Sequence, residues 1–209
     1  MYICQNIFIM KKLLLSLLVM SFSLTAFAQE HMTFKGVPID GNVSDFVNKL
    51  VEKGLTVSKY DGLVGDPSVR VMNGTFAGIQ NCDIIILSVP STKIVCKVSV
   101  TTPNSKSWDD VLYEYNTLKK SLLEKYSNGE VNKYEYFVDP YSLGDGYELQ
   151  ALYKEKCKYY TSIMIPQGAI AIYMTTATYG EAHTAIHYED KINWKAYEAD
   201  KKKTISEDI

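Results

Sequence analysis

His183 and His187 stand four residues apart, the spacing at which a helix offers two imidazoles to one zinc ion. Their surroundings read as a strand instead. Ala182, Thr184, Ile186 and Tyr188 alternate there with Glu181, His183, Ala185 and His187. On a strand the two rings share a face but sit roughly 13 Å apart, too wide for one metal ion unless neighbouring strands supply more ligands. The third histidine, His31, follows Gln29-Glu30. In a chain cut after Ala28 it takes the third place, where an N-terminal copper site wants its histidine. Gln29 tends to cyclise and remove the amine that such a site needs, so His31 is expected to be disordered instead.

Beyond Ala28 the cysteines are Cys82, Cys96 and Cys157, a count too low and odd for a disulfide framework. Cys82 and Cys96 lie on two apolar runs that a turn at Pro90-Ser91 would fold into a hairpin. Cys82 shares the parity of Ile84 and Ile86, and Cys96 that of Val98 and Val100, so both thiols are expected in the core. There a reduced cysteine behaves as a small hydrophobe. In an oxidising compartment, a Cys82–Cys96 cross-strand disulfide is the alternative.

The remaining chemistry is aromatic. Of 16 tyrosines, 14 lie beyond position 100. Tyrosine favours strands, where its ring covers a pleated face and its hydroxyl reaches water. Crowded on one face it also makes a recognition surface, with large contact area at small entropic cost. The candidate binding residues are Tyr147, Tyr153, Tyr160, Tyr173 and Tyr188, along expected strands at 147–153 and 159–164.

No nucleophile elbow, HExxH helix, CxxC pair, dinucleotide glycine fingerprint or P-loop is present. The carboxylate pairs Asp109/Asp110 and Glu189/Asp190 are accounted for by a helix N-terminus and a strand end. No cofactor is implied. A net charge of −2 argues against a nucleic-acid partner, which would want a basic face, and against adhesion to an anionic membrane.

These side chains need elements to position them. Met10-Lys11-Lys12, the apolar run from Leu13 to Leu24, and Ala26-Phe27-Ala28 have the three parts of a cleaved signal peptide. The run is shorter than the roughly 20 residues of a membrane span, and no lipoprotein cysteine follows it. Met10 is the expected start. The chain is then expected to be periplasmic or secreted, without a membrane span after cleavage.

Two amphipathic helices follow, at 42–53 and 108–126. The first buries Val43, Phe46, Val47, Leu50 and Val51, with Asn42 as its cap and Gly54 as its left-handed stop. The second buries Trp108, Val111, Leu112, Tyr115, Leu118, Leu122 and Tyr126, capped by Ser107. After each helix the apolar period falls from 3.6 to 2. Strands are expected at 69–77, 82–89 and 93–101, then at 131–138, 147–154, 159–165, 169–176 and 181–188, with a short one at 32–37. Asn73-Gly74, Gly78, Pro90, Gly144-Asp145-Gly146, Pro166-Gln167-Gly168 and Tyr179-Gly180 punctuate them. Short turns imply antiparallel pairing.

The fold class is therefore α+β: two helix-plus-antiparallel-sheet units in tandem, or one continuous sheet with the helices on one face. The expected divisions are a signal peptide over 1–28, units over 29–104 and 105–190, and a charged tail over 191–209. That tail is expected to form a short helix through Trp194 and Tyr197 and to fray beyond Lys201.

The run from Phe34 to Gly41, a helix, and then Gly74-Thr75-Phe76-Ala77-Gly78 resemble secreted proteins of gut Bacteroidetes. That likeness implies no activity. The helix-then-strands plan, given twice, is similar in layout to the fold of the β-lactamase inhibitor protein, which implies a protein-binding role on a concave sheet face. The expected function is that of an exported binding protein of the cell envelope, with a protein or glycan partner. An envelope hydrolase with carboxylates in a cleft between the units, and a self-associating structural protein, are the alternatives.

Overall fold

The structure, a computed structural model, describes residues 30–62 and 65–208. The expected signal peptide over 1–28 lies outside the described residues. Among these residues are four helices: α1 (Val43–Glu52), α2 (Trp108–Lys125), α3 (Glu148–Tyr153) and α4 (Lys191–Asp208). The strands are β1 (Thr33–Phe34), β2 (Val37–Pro38), β3 (Thr56–Val57), β4 (Val69–Phe76), β5 (Ile79–Ser88) and β6 (Val95–Thr101). They continue with β7 (Glu130–Phe137), β8 (Cys157–Ile165), β9 (Gly168–Thr178) and β10 (Glu181–Asp190). β1 and β2 form a hairpin, where one strand over 32–37 was expected. The others form one continuous antiparallel sheet in the order β3-β4-β5-β6-β10-β9-β8-β7. Each half is a meander that follows a helix, and the halves meet where β6 pairs with β10.

Strand register sorts the residues into two faces. Met72, Ile84, Val100, Ile186, Ile172 and Thr161 lie opposite one another in a single row across six strands, all fully buried. Ile86, Val98, Tyr188, Ile170 and Ile163 form the next row on the same face. The β1–β2 hairpin, α1 and α2 complete that core with Phe34, Phe46, Leu50, Trp108, Tyr115 and Leu118. The alternation that buries these rows turns every second residue to the opposite face.

The helix ends are as their residue types require. Asn42 Oδ1 accepts the Ser44 amide at 2.9 Å, and Ser107 Oγ accepts that of Asp110 at 3.2 Å. Gly54 stops α1 with φ at 87°. Gly74 differs from expectation, because it lies inside β4 and marks no turn. A Cβ there would stand 2.4 Å from Leu55 Cδ2, so this glycine admits a core leucine. The strand expected at 147–154 is α3. Asp145 Oδ1 accepts the Tyr147 amide at 2.8 Å and Glu148 accepts that of Gly144 at 2.7 Å, so the turn there starts a helix. The tail is helical to Asp208, where fraying beyond Lys201 was expected. Asp200 anchors it by accepting the Ser91 amide at 3.2 Å.

Cys82, Cys96 and Cys157 are free and buried, as the parity of the first two leads one to expect, and the alternative Cys82–Cys96 disulfide does not form. Asp83 lies opposite Thr101 and Leu87 opposite Lys97, so the two thiols occupy opposite ends of the β5–β6 pair. Some six residues separate them along the ladder, roughly 20 Å, against the 4.4–6.8 Å between Cα atoms that a bridge spans. Burial pushes the thiols of Cys96 and Cys157 up to about 12 and that of Cys82 upward as well. Iodoacetamide should therefore leave all three unlabelled in the folded protein and alkylate all three in urea. Mass spectrometry of the peptides checks this, and a linked 82–96 peptide would contradict the register.

The segment before β1 and the start of α4 are fastened at one buried carboxylate. Asp190 has no exposed surface. Its Oδ2 accepts the Met32 amide at 2.9 Å and lies 3.1 Å from His31 Nδ1. Its Oδ1 accepts the amides of Ile192 and Asn193 at 3.0 and 2.9 Å, capping α4. His31, expected to be disordered, is held here and also lies 3.5 Å from Asp40. Asn193 extends the network by donating to Ile39 O, Asp40 Oδ1 and Val95 O, each at 3.0 Å. Asp190→Ala would leave three amides without an acceptor, two of them buried, and is expected to cost roughly 3 kcal/mol, read as a lower urea midpoint.

Candidate functional site

The face of the sheet opposite the core carries the aromatic side chains that the sequence singles out only in part. Its first row is Tyr134, Tyr160, Tyr173, Ala185 and Thr101, running from β7 across β8, β9 and β10 to β6. The second row is Asn132, Ser162, Ala171, His187 and Ser99. Glu130, Met164, Ala169, Glu189 and Lys97 make the third. Large rings thus border one side of a stretch of short side chains at Ser162, Ala171 and Ala169, and the sheet is hollowed there.

The rings form a continuous ridge. Tyr134 and Tyr160 have centroids 6.2 Å apart, and Tyr160 stacks on Tyr173 at 6.3 Å with 28° between planes. His187 closes the ridge edge-on to Tyr173 at 5.0 Å. Lys158 places its ammonium 5.0 Å from the Tyr134 centroid and 5.4 Å from that of Tyr160, within cation–π range. Beside the ridge lies a trough of about 290 Å³ floored by Ser162, Ala169 and Ala171. A second hollow of about 260 Å³ shares Met164, Ala169 and Glu189 with it and reaches Trp194 of α4. Trp194 stacks on Tyr197 at 5.0 Å, and Lys97 stands 5.2 Å from its ring.

Two polar pairs stand at the trough. Tyr173 Oη and His187 Nε2 are 2.8 Å apart and share a hydrogen bond, and Lys97 Nζ lies 2.7 Å from Glu189 Oε1. Burial, and then the Lys97 charge, pull His187 down to about 4, so its imidazole is neutral near pH 7. Burial also raises Tyr173, with Tyr160 and Glu189 adding to it. A neutral phenol bonded to a neutral imidazole fixes two rings in place and offers directional hydrogen bonding. Ser162 is two strands from His187, roughly 10 Å at the usual strand spacing, so the two do not form a nucleophile–base pair.

The sequence-selected tyrosines scatter. Tyr160 and Tyr173 are brought together as the centre of the ridge. Tyr188 is not available, because its parity on β10 puts it on the core face, 4% exposed and 5.5 Å from Phe34. Tyr147 and Tyr153 are exposed, yet they lie on the α3 segment, where Tyr153 packs edge-on to Tyr179 of the β9–β10 turn. Tyr134, Lys158, His187 and the Lys97–Glu189 pair were missed as members of one site. Parity along β7 and β8 carries their face, but the register between strands separated by α3 does not follow from the sequence.

His183 lies on the same open face and bonds Asn104 Oδ1 through Nδ1 at 2.8 Å. Among the described residues no three of His, Cys, Asp and Glu are grouped to hold a metal ion. No described helix is long and apolar enough to cross a membrane. No family model matches the chain, and neither a curated protein nor a solved structure matches it.

The depressed His187 pKa has a pH signature. A histidine with a folded value below its ordinary 6.5 stabilises the fold above that pH, and the unfolded chain takes up the proton first as the pH falls. Stability is expected to decline between about pH 6.5 and about pH 4. His183, also lowered by burial, adds to this. Urea unfolding at stepped pH checks it, and His187→Gln should flatten the decline over that window.

Proposed function

We propose that this chain is an exported binding protein of the cell envelope and that it holds its partner on the open face of the sheet. The carrying observation is the tyrosine ridge beside a trough floored by short side chains. Core-facing rows do not require it, and half-buried rings grouped with the exposed Tyr134 make a contiguous apolar patch of the kind that marks a binding surface. A partner that lays a sugar ring, an aromatic ring or an apolar side chain on Tyr160 and Tyr173 would meet His187, Lys97 and Glu189 with its polar groups.

The geometry favours holding over cleaving. The trough's only carboxylate, among the residues lining it, is Glu189, and it is engaged by Lys97. Its imidazole is committed to Tyr173. Glu189 and His187 thus each have a partner that positions them, as recognition needs. Export rests on the sequence from Met10 to Ala28.

The test is capture of envelope components and binding to a glycan array by the intact chain and by Tyr160→Ala/Tyr173→Ala. The double variant is expected to lose at least about tenfold in affinity, since an aromatic anchor contributes 1–2 kcal/mol or more. Tyr113→Ala, a change of an exposed tyrosine on α2, should bind as the parent does. Melting curves show whether each variant is folded, and undiminished capture by a folded double variant would refute the site.

A further inference from the structure

The sheet ends differently on its two sides. At one side β3 has two residues. At the other, β7 runs for eight residues, and its outer edge closes the strand order with no strand beyond it. Val131, Tyr134 and Tyr136 on this strand are nearly half exposed. A long free edge presents unpaired amides and carbonyls, which favours the addition of another strand.

Which groups face outward follows from one bond. The Val138 amide donates to Lys156 O at 2.7 Å, continuing the β7–β8 register. In an antiparallel ladder such pairs recur at every second residue. Tyr136, Tyr134 and Asn132 therefore turn their backbone groups toward β8, and Val131, Lys133, Glu135 and Phe137 turn theirs outward.

We propose that two copies of this chain join through the outer edges of β7, antiparallel, with Tyr134 of each copy on the two-fold axis. This setting opposes Lys133 to Glu135 of the second copy, Val131 to Phe137 and Asn132 to Tyr136. Each of these three pairs is matched in charge or polarity, and each shares a face of the sheet. The outward residues supply about eight inter-chain hydrogen bonds, two for each of four close pairs.

Other settings are worse. An axis through Lys133 opposes two ammonium groups, and one through Glu135 opposes two carboxylates, both destabilising directly across a ladder. An axis through Asn132 or Tyr136 sets a charge against Val131 or Phe137 and shortens the ladder. In the chosen setting both cores lie on one side, and the two tyrosine ridges run into each other through Tyr134. This inference is independent of what the ridge binds.

Sedimentation velocity of the purified chain and mild oxidation of Tyr134→Cys test the proposal together. The chain is expected to sediment as a dimer below about 100 μM, and Lys133→Glu to weaken association about tenfold by placing like charges opposite Glu135. Residues in a non-hydrogen-bonded pair have Cα atoms about 4.5 Å apart, within reach of a disulfide. Tyr134→Cys should link two copies, and Asn132→Cys, about four residues out of register with itself, should not. The unsubstituted chain, with the same native cysteines, is the blank. A monomer at every concentration, a dimer indifferent to Lys133→Glu, or linking at 132 as efficient as at 134 would overturn it.

Discussion

A fully buried carboxylate joins the segment before β1 to the start of α4. Moving an ionised carboxylate out of water is costly unless hydrogen bonds replace its hydration. Asp190 receives three backbone amides and faces His31. The donors come from the segment leading into β1 and from the first turn of α4. Asn193 repeats the device with three acceptors, one of them on β6. Because neighbouring residues on a strand face opposite ways, the placement of Asp190 also sets Glu189 on the open face, in reach of Lys97. One structural carboxylate thus fixes a wall of the trough.

The same alternation separates stability from recognition across the sheet. On β10, Ile186 and Tyr188 seal the core, and His187 and Glu189 face outward. On β9, Ile170 and Ile172 do the first task, and Ala169, Ala171 and Tyr173 the second. Outward substitutions can therefore alter the surface with little disturbance of the buried rows. Tyr115 ties α2 to the core face of the sheet, where its hydroxyl meets both Thr161 and Glu135.

Much of this architecture is legible in the residues. The two helices, both caps, the Gly54 stop and seven of the eight strands expected from Val69 onward follow from period, cap chemistry and turn residues. The failures have physical causes. Gly74 reads as a turn because glycine is usually chosen for φ, and here it is chosen for the room that Leu55 needs. The α3 segment alternates like a strand, but Asp145 and Glu148 bond the preceding amides into a helical start. Tyr188 was chosen by type where parity with Ile186 already placed it inward. The ridge itself was only half legible, because Tyr134 and Tyr160 become neighbours through a register set by tertiary pairing. The anchoring of His31 depends on Asp190, far away in sequence, and no local pattern announces it.

The strand order has a consequence for how the chain comes together. β6 finds its second neighbour only in β10, with Val98 opposite Tyr188, so the centre of the finished sheet joins the two paired strands furthest apart in sequence. A polypeptide made from its N-terminus holds β3 to β6 with one flank of β6 unpaired until nearly all of the remainder has been synthesised. Contacts of such separation are slow to form, because a long loop must close before they give any return. The middle of the sheet is thus the last region to be completed. A chain cut short before β10 would carry, as an exposed apolar edge, the strand that lies at the centre of the whole protein.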